Sequence, residues 1–339
     1  MKISIDAMGG DYGPSSTIPA TVNILREHPA ISLIQVYGDK NQIEDTLNSL
    51  VHFSSSRDLV DRIQIHHTHK FIASTERPSD ALRKREPTSM LKALEALANG
   101  EVDACVSSGN TGALLGLARY SCGTIFENKD VAICAELPNP NRITLLLDVG
   151  ANTDPTPLQL YNFSKMGTVL HRCISEKRLM KSNFPKLKVL SIGTEQGKGN
   201  HLINEFIDTY SSDEIINFCG LIEADKVLNA DCDVIVCDGF TGNIVLKSIQ
   251  GSVNYMNKIV EIWLQNNLVS NSYSEGSSIS ELKKNIEYNY FNGAVLLGIN
   301  KIVIKSHGSS NSLAFGAAIK KAVDMISGGF QNNLSNQVM

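Results

Sequence analysis

A three-layer α/β/α fold around a mostly parallel sheet is the architecture that this 339-residue sequence predicts. Short β-rich runs alternate with helix-periodic stretches along most of the chain. Several of those runs are apolar on both faces, and run after run ends in a polar, glycine-bearing tip. The alternation calls for βαβ units, and two-sided apolar strands call for helices on each face of the sheet. Residues 1–330 are expected to form one domain, with a helical excursion over 243–295 and a flexible tail at 331–339.

The first strand, 2–6, runs into "DAMGGDYGP", Asp6 to Pro14. Gly9 and Gly10 permit a positive φ and an approach that a Cβ would forbid. Pro14, Ser15 and Ser16 supply a stop and an N-cap for a helix beginning near Ile18. The motif reads either as a tight β–α turn or as the wall of a site, with Asp6 and Asp11 bracing the loop. A second strand follows at 32–38. "HHTH" at 66–69 sets His67 and His69 on one strand face, but neither H-E-x-x-H nor H-x-x-E-H occurs. Surface histidines on a strand edge are the better reading, and no metal is expected. "RPSDALRKREPTSM" concentrates Arg77, Arg83, Lys84 and Arg85; it is either a solvated helix face or a docking surface for an acidic partner.

Helices are expected over 89–99, 111–121, 157–173, 198–210 and 311–327, and strands at 103–108, 143–150, 187–193, 233–239 and 301–306. The stretch from Asn243 to Leu268 carries Ile249, Val253, Met256, Val260 and Trp263 at 4-3-4-3 spacing, one apolar stripe. Ile259, Ile262 and Leu264 widen it, so it suits core or dimer contact, or a helix presented to a membrane surface. "NSYSEGSSISE" at 271–281 is the one long polar stretch.

Composition narrows the function. With 42 % hydrophobic and 19 % charged residues the chain reads as an ordinary soluble protein. A net charge of −4 argues against general nucleic-acid binding. No run is apolar and long enough to span a bilayer, and no secretory leader is visible, so a cytoplasmic location is expected. The seven cysteines are scattered without a C-x-x-C pair. Cys105 and Cys237 sit in apolar runs and read as packing residues.

The tips carry the chemistry. "DAMGGD", "SSGNTGA", "DVGANTD", "IGTEQGKGN", "CDGFTGN" and "KSHGSSN" all follow strands. Ligands of open parallel sheets bind beyond the strands' carboxyl ends, so the six are expected along one rim. Gly, Asn, Ser and Thr at helix starts expose N–H groups suited to an anion, most naturally phosphate. "GTEQGKG", Gly193 to Gly199, is one residue short of a P-loop and has glycine where Ser or Thr should hold magnesium. Neither G-x-G-x-x-G nor G-x-S-x-G occurs, so no dinucleotide cofactor and no nucleophile elbow are expected.

Together "DAMGGDYGP", "ALRKREPTSM", "SSGNTGALL", "LLLDVGAN", "GKGN", "DVIVCDGFTGNIVLK" and "SHGSSN" resemble the bacterial phosphate acyltransferase family called PlsX, in order from residue 1 to about 322. Asn292 is a departure, standing where members often carry glycine. The resemblance implies a fold similar to phosphotransacetylases and the isocitrate dehydrogenase group. It implies transfer of a fatty acyl group from acyl carrier protein to inorganic phosphate, and a product that feeds a membrane glycerol-3-phosphate acyltransferase in phospholipid synthesis. It also implies a homodimer peripherally associated with the inner face of the cell membrane. An acyltransferase acting on acyl-coenzyme A, or a membrane-recruited scaffold of lipid-synthesis enzymes, remains an alternative.

Such a reaction starts with a nucleophile that is already an anion and needs neither a triad nor a metal. Its candidate residues follow. Gly197, Lys198, Gly199 and Asn200 would cradle phosphate, with Gly9, Gly10 and Thr111 beside it. Asn110, Asn152 and Asn243 would orient the thioester or donate to the oxyanion, and His307 would donate to the oxyanion or the departing sulfur. Asp238, with Asp6, would orient a neighbouring donor. Arg83, Lys84 and Arg85 would dock the acidic carrier protein, and Met256, Val260, Trp263 and Leu264 would make the membrane or dimer contact.

Overall fold

The computed structural model describes residues 1–51, 57–139, 142–177, 184–195, 197–268 and 292–331. In chain order its elements are β1 (Lys2–Asp6), α1 (Pro14–Glu27), β2 (Leu33–Gly38), α2 (Lys40–Val51), α3 (Arg57–Val60), β3 (Ile63–His67), α4 (Pro78–Lys84) and α5 (Ser89–Ala98). Then come β4 (Ala104–Ser107), α6 (Thr111–Cys122), β5 (Ala132–Leu137), β6 (Thr144–Leu147), α7 (Pro157–Lys177), β7 (Lys186–Leu190) and α8 (His201–Tyr210). The chain continues through β8 (Asn217–Ile222), β9 (Val234–Val236), α9 (Gly239–Leu268), β10 (Ala294–Leu297), β11 (Ile302–Lys305) and α10 (Ser312–Ser327).

The strands form one mixed sheet of order β3-β2-β1-β4-β11-β10-β5-β6-β9-β7-β8. From β3 to β11 every neighbour is parallel, and from β6 to β8 likewise. Between these blocks β10 pairs antiparallel with both β11 and β5, and β5 antiparallel with β6. The two parallel blocks therefore run in opposite directions. This corrects the expected single rim: the tips after β1, β4 and β11 leave one end of the sheet, and those after β6, β7 and β9 leave the other.

Alternation along each strand decides which face a residue covers. Ile3, Ile5, Val106, Leu147 and Ile304 join Phe163 and Phe315 in a core that runs under the whole sheet. Cys105 and Val303 point the other way, to Leu94 and Leu114 of α5 and α6. Ile133, Leu146 and Ile235 meet Leu246 and Ile249 of α9 on that same second face. One face is thus covered continuously, while the cover of the other is split between two clusters. At about 1.5–3 kcal/mol for each large side chain fully buried, the clusters hold the blocks in register and leave a cleft at the split.

Helix α1 begins at Pro14, four residues before the expected start, because Pro14 sits at the first helical position where its missing N–H costs nothing. Its Gly13 N-cap makes no side-chain bond, and Ser16 instead donates to Ser310 O at 2.6 Å. Beyond Val253, which packs partly on the α9 cluster, α9 leaves the body of the protein and exposes Tyr255, Met256, Ile259, Ile262 and Trp263. Residues 269–291 of the expected excursion, residues 332–339 of the expected tail and the Leu264 side chain lie outside the described residues.

Candidate active site

The cleft holds a cavity of about 260 Å³. Ile133 and Ala135 of β5 form its floor, and Thr111 at the start of α6 and Val149–Gly150 after β6 bound it. Helix α9 contributes Asn243, Leu246, Lys247 and Gln250, while Asn292, Lys305, Ser306 and His307 enter from the ends of β10 and β11. Tips from both blocks thus reach one cavity despite their opposed directions, because α9 crosses the second face from the β9 end toward the β11 end.

Asp148 shapes one wall. Its carboxylate accepts from the backbone N–H groups of Ile133 (3.0 Å), Gly150 (3.1 Å), Ala151 (3.0 Å) and Asn152 (2.7 Å), and from Asn152 Nδ2 (2.9 Å). Burial raises its pKa, opposed by those same donors. Asn152 sends its amide to Val131 O (2.7 Å) as well as to Asp148, so both side-chain donors are spent inside the fold. Gly239 N donates to Asn152 O, and Asp238 caps α9 by accepting from Thr241 N (2.8 Å) and Thr241 Oγ1 (2.7 Å). These bonds fix where α9 starts and hence where Asn243 stands, beside Gly150.

The opposite wall is an interlocked set of loops. Asp6, 1 % exposed, accepts from Ser107 Oγ at 2.7 Å, and that oxygen accepts from Gly109 N at 3.0 Å. Burial raises the Asp6 pKa, opposed by Ser89 and Ser107. A Cβ on Gly9 would stand 2.6 Å from Gly109 N, and one on Gly10 would stand 2.7 Å from Gly308 O. The approach these glycines permit includes that of the chain's own second and last loops. Asn110 is likewise committed: it caps α6 through Ala113 N and donates to Ser74 O and Glu76 O.

Lys247 Nζ lies 2.7 Å from His307 Nε2. Burial lowers the His307 pKa, aided by Lys247 and Lys305 and opposed by Asp11. Lys305, only 9 % exposed, donates to Ser108 O at 3.4 Å and to Ser306 O. Asn292 ties the loop above it: Nδ2 donates to Ser306 Oγ, Ser310 Oγ and Ala314 O, and Oδ1 accepts from His307 N at 3.1 Å. Sequence reasoning passed over Lys247, Lys305 and the work of Asn292. The signal available was position: "NIVLK" puts Lys247 one helical turn after Asn243, and Lys305 ends a strand of otherwise apolar residues.

Of the expected site residues, Thr111, Asn243 and His307 line the cavity. Gly197, Lys198, Gly199 and Asn200 do not. They follow β7, where Gly197 and Lys198 are exposed and Asn200 caps α8 through Ile203 N. Arg83, Lys84 and Arg85 are exposed at the end of α4, Arg83 pairing with Asp80 and Arg85 lying over the Tyr120 ring at 4.6 Å. Lys84 lines a second cavity of about 270 Å³ with His69, Lys70 and Phe71. His67 lies on edge strand β3, its Nε2 3.1 Å from His69 Nδ1.

Known proteins share this fold. Solved structures of a phosphotransacetylase from Streptococcus pyogenes and a branched-chain phosphotransacylase from Enterococcus faecalis have the same fold. The first gives a TM-score of 0.59 at 16 % identity over 96 % of this chain and 94 % of its own. The second gives 0.57 at 13 % identity over 96 % and 99 %. Proteins named phosphate acyltransferase are similar in sequence. That of Photobacterium profundum is 37 % identical over 100 % of this chain and 96 % of its own, and that of Coxiella burnetii is 36 % identical over 95 % and 92 %. The family model described as fatty acid synthesis protein matches residues 1–333. A match of that extent, with relatives of that identity along nearly the whole length, makes this chain a member of the fatty acid synthesis protein family that includes the phosphate acyltransferases.

Proposed function

We propose that the protein transfers a fatty acyl group from acyl carrier protein to inorganic phosphate, giving an acyl phosphate for phospholipid synthesis. The observation that carries this reading is the cleft cavity, where polar donors and cations stand over an apolar floor. Asn243, Thr111, Lys247 and Lys305 face Ile133, Ala135 and Leu246. An anion and the carbonyl end of a fatty thioester need that pairing of surfaces.

The reaction is balanced without outside help. A hydrogen phosphate oxygen attacks the thioester carbonyl, a C–O bond forms, and the tetrahedral intermediate collapses with loss of the C–S bond. The electron pair leaves on sulfur, and the proton of hydrogen phosphate ends on the thiol. The protein's task is to hold one anion against one carbonyl and to stabilise the oxyanion. Positioning of that kind can supply about 7–11 kcal/mol of the barrier, and each oxyanion donor about 3–4 kcal/mol. Asn243 is our candidate donor. Gly197, Lys198, Gly199 and Asn200 are proposed to meet phosphate as it enters.

Arg83, Lys84 and Arg85 are proposed to dock the acidic carrier protein, supported by their exposure and by the neighbouring cavity. The exposed Met256, Ile259, Ile262 and Trp263 of α9, with Val260, are proposed to contact a second copy or a membrane surface. No helix among the described residues is long and apolar enough to cross a membrane, so such contact would be peripheral. The test is consumption of acyl carrier thioester with and without phosphate, with acyl-coenzyme A as the second donor. Phosphate-dependent formation of acyl phosphate from the carrier thioester is expected. A preference for the coenzyme A thioester would replace the donor, and activity without phosphate would overturn the reading.

A further inference from the structure

We propose that Lys247 and Lys305 form a clamp that receives inorganic phosphate, and that His307 is the positioning residue that aims Lys247. The clamp rests on the phosphate acyltransferase reading and assigns the anion of that site to two side chains, one from α9 and one from β11.

Donor bookkeeping gives the arrangement its direction. An ammonium group has donors only, so with Lys247 Nζ 2.7 Å away, His307 Nε2 is the bare nitrogen of a neutral ring. On its other side the ring is pinned by Ser309, whose Oγ lies 2.9 Å and whose backbone N lies 3.2 Å from Nδ1. A ring held between Ser309 and Lys247 keeps the lysine in place beside the cavity. Lys247 spends a second donor on Gln250 Oε1 at 3.1 Å and keeps one. Lys305 spends two on the carbonyls of Ser108 and Ser306 and also keeps one. Among the described residues neither lysine has a carboxylate within ion-pair distance.

A buried cation without a contacting counter-ion is costly, and an entering dianion removes that cost at Lys305 while giving the exposed Lys247 a partner of opposite charge. The charges show the same need. Burial, then Lys247, lowers Lys305 to about 8, while Asp6 and Asp11 act in the opposite sense. Burial also lowers Lys247. A cation whose free-state pKa is about 8 must be protonated to bind the anion, so phosphate affinity falls as pH rises through that value.

The experiment reads phosphate KM separately from kcat at saturating acyl carrier thioester, and phosphate binding directly by ³¹P titration without the thioester. Lys247→Met and Lys305→Met are each expected to weaken phosphate by about tenfold or more, with the thioester KM within about twofold. Melting curves report whether each variant folds. His307→Ala should weaken phosphate, while His307→Gln, whose Oε1 can still accept from Lys247, should restore much of the loss. For the native protein, phosphate KM should rise about tenfold per pH unit above pH 8, and Lys305→Arg should move that rise to higher pH. Phosphate-dependent turnover with native phosphate KM in both folded Met variants overturns the clamp alone. A native protein that neither binds nor needs phosphate overturns the activity and the clamp together.

Discussion

At the end of β1 the chain's own loops fill the space over Gly9 and Gly10, whereas at the end of β7 nothing stands within 4 Å of a Cβ built on Gly197. The first tip is buried between Gly109 and Gly308, and the second is exposed. Glycine therefore does two different things in two loops of similar composition. In the first it lets three loops interlock and sets the wall of the cleft. In the second it provides the left-handed φ of 82° that presents the next amides to solvent. A glycine-rich tip is evidence of a backbone need, and the surroundings decide whether that need is packing or binding.

The largest effect should come from filling the closed tip. Gly10→Val joins a φ of 78° to an overlap with backbone, so a loss of about 3 kcal/mol or more is expected, read from the urea midpoint. A midpoint near the native one would erase the distinction between the tips. Asp148→Asn sharpens it, because the tip after β6 is closed by a carboxylate as well as by the close approach of Gly239 and Gly242. Turning one carboxylate oxygen into a donor sets it against two or three of the four backbone N–H groups and should cost about 2–3 kcal/mol by the same measurement. At the open tip, Lys198→Ala should raise phosphate KM about tenfold while stability stays within about 0.5 kcal/mol. Unchanged phosphate dependence would remove that lysine from the site. Gly197→Ala should be the mildest, costing about 1 kcal/mol for its φ, with no overlap to add.

Seven of the eleven strands, and the helices from α5 to α8 and α10, stand close to where the sequence placed them, because period and two-sided apolarity are local signals. Strands β5 and β10 escaped it. Each is wholly or largely buried, and nothing in an apolar run says which way it points. Since these two reverse the sheet, the expected single rim failed with them. The site was legible where residues open a helix beside the cleft, as Thr111 and Asn243 do. It was illegible at Lys247 and Lys305, whose importance lies in where a helix crosses and how deep a strand ends. Asn292 shows the same limit. The sequence marked it only as a departure from the family resemblance, yet its amide ties Ser306, Ser310, Ala314 and His307 into one loop.

Strand β11 lies between β4 and β10, so residues 302–305 enter the middle of the sheet beside β10, which just precedes them, and beside β4, residues 104–107, which were made far earlier. During translation the segment from β1 to β9 emerges with a gap along its centre line. Its edges at β4 and β5 wait unpaired until the last strands leave the ribosome. Assembly of the working centre is accordingly a late event in the life of each molecule, and nascent chains carry two sticky strand borders that a chaperone has reason to shield.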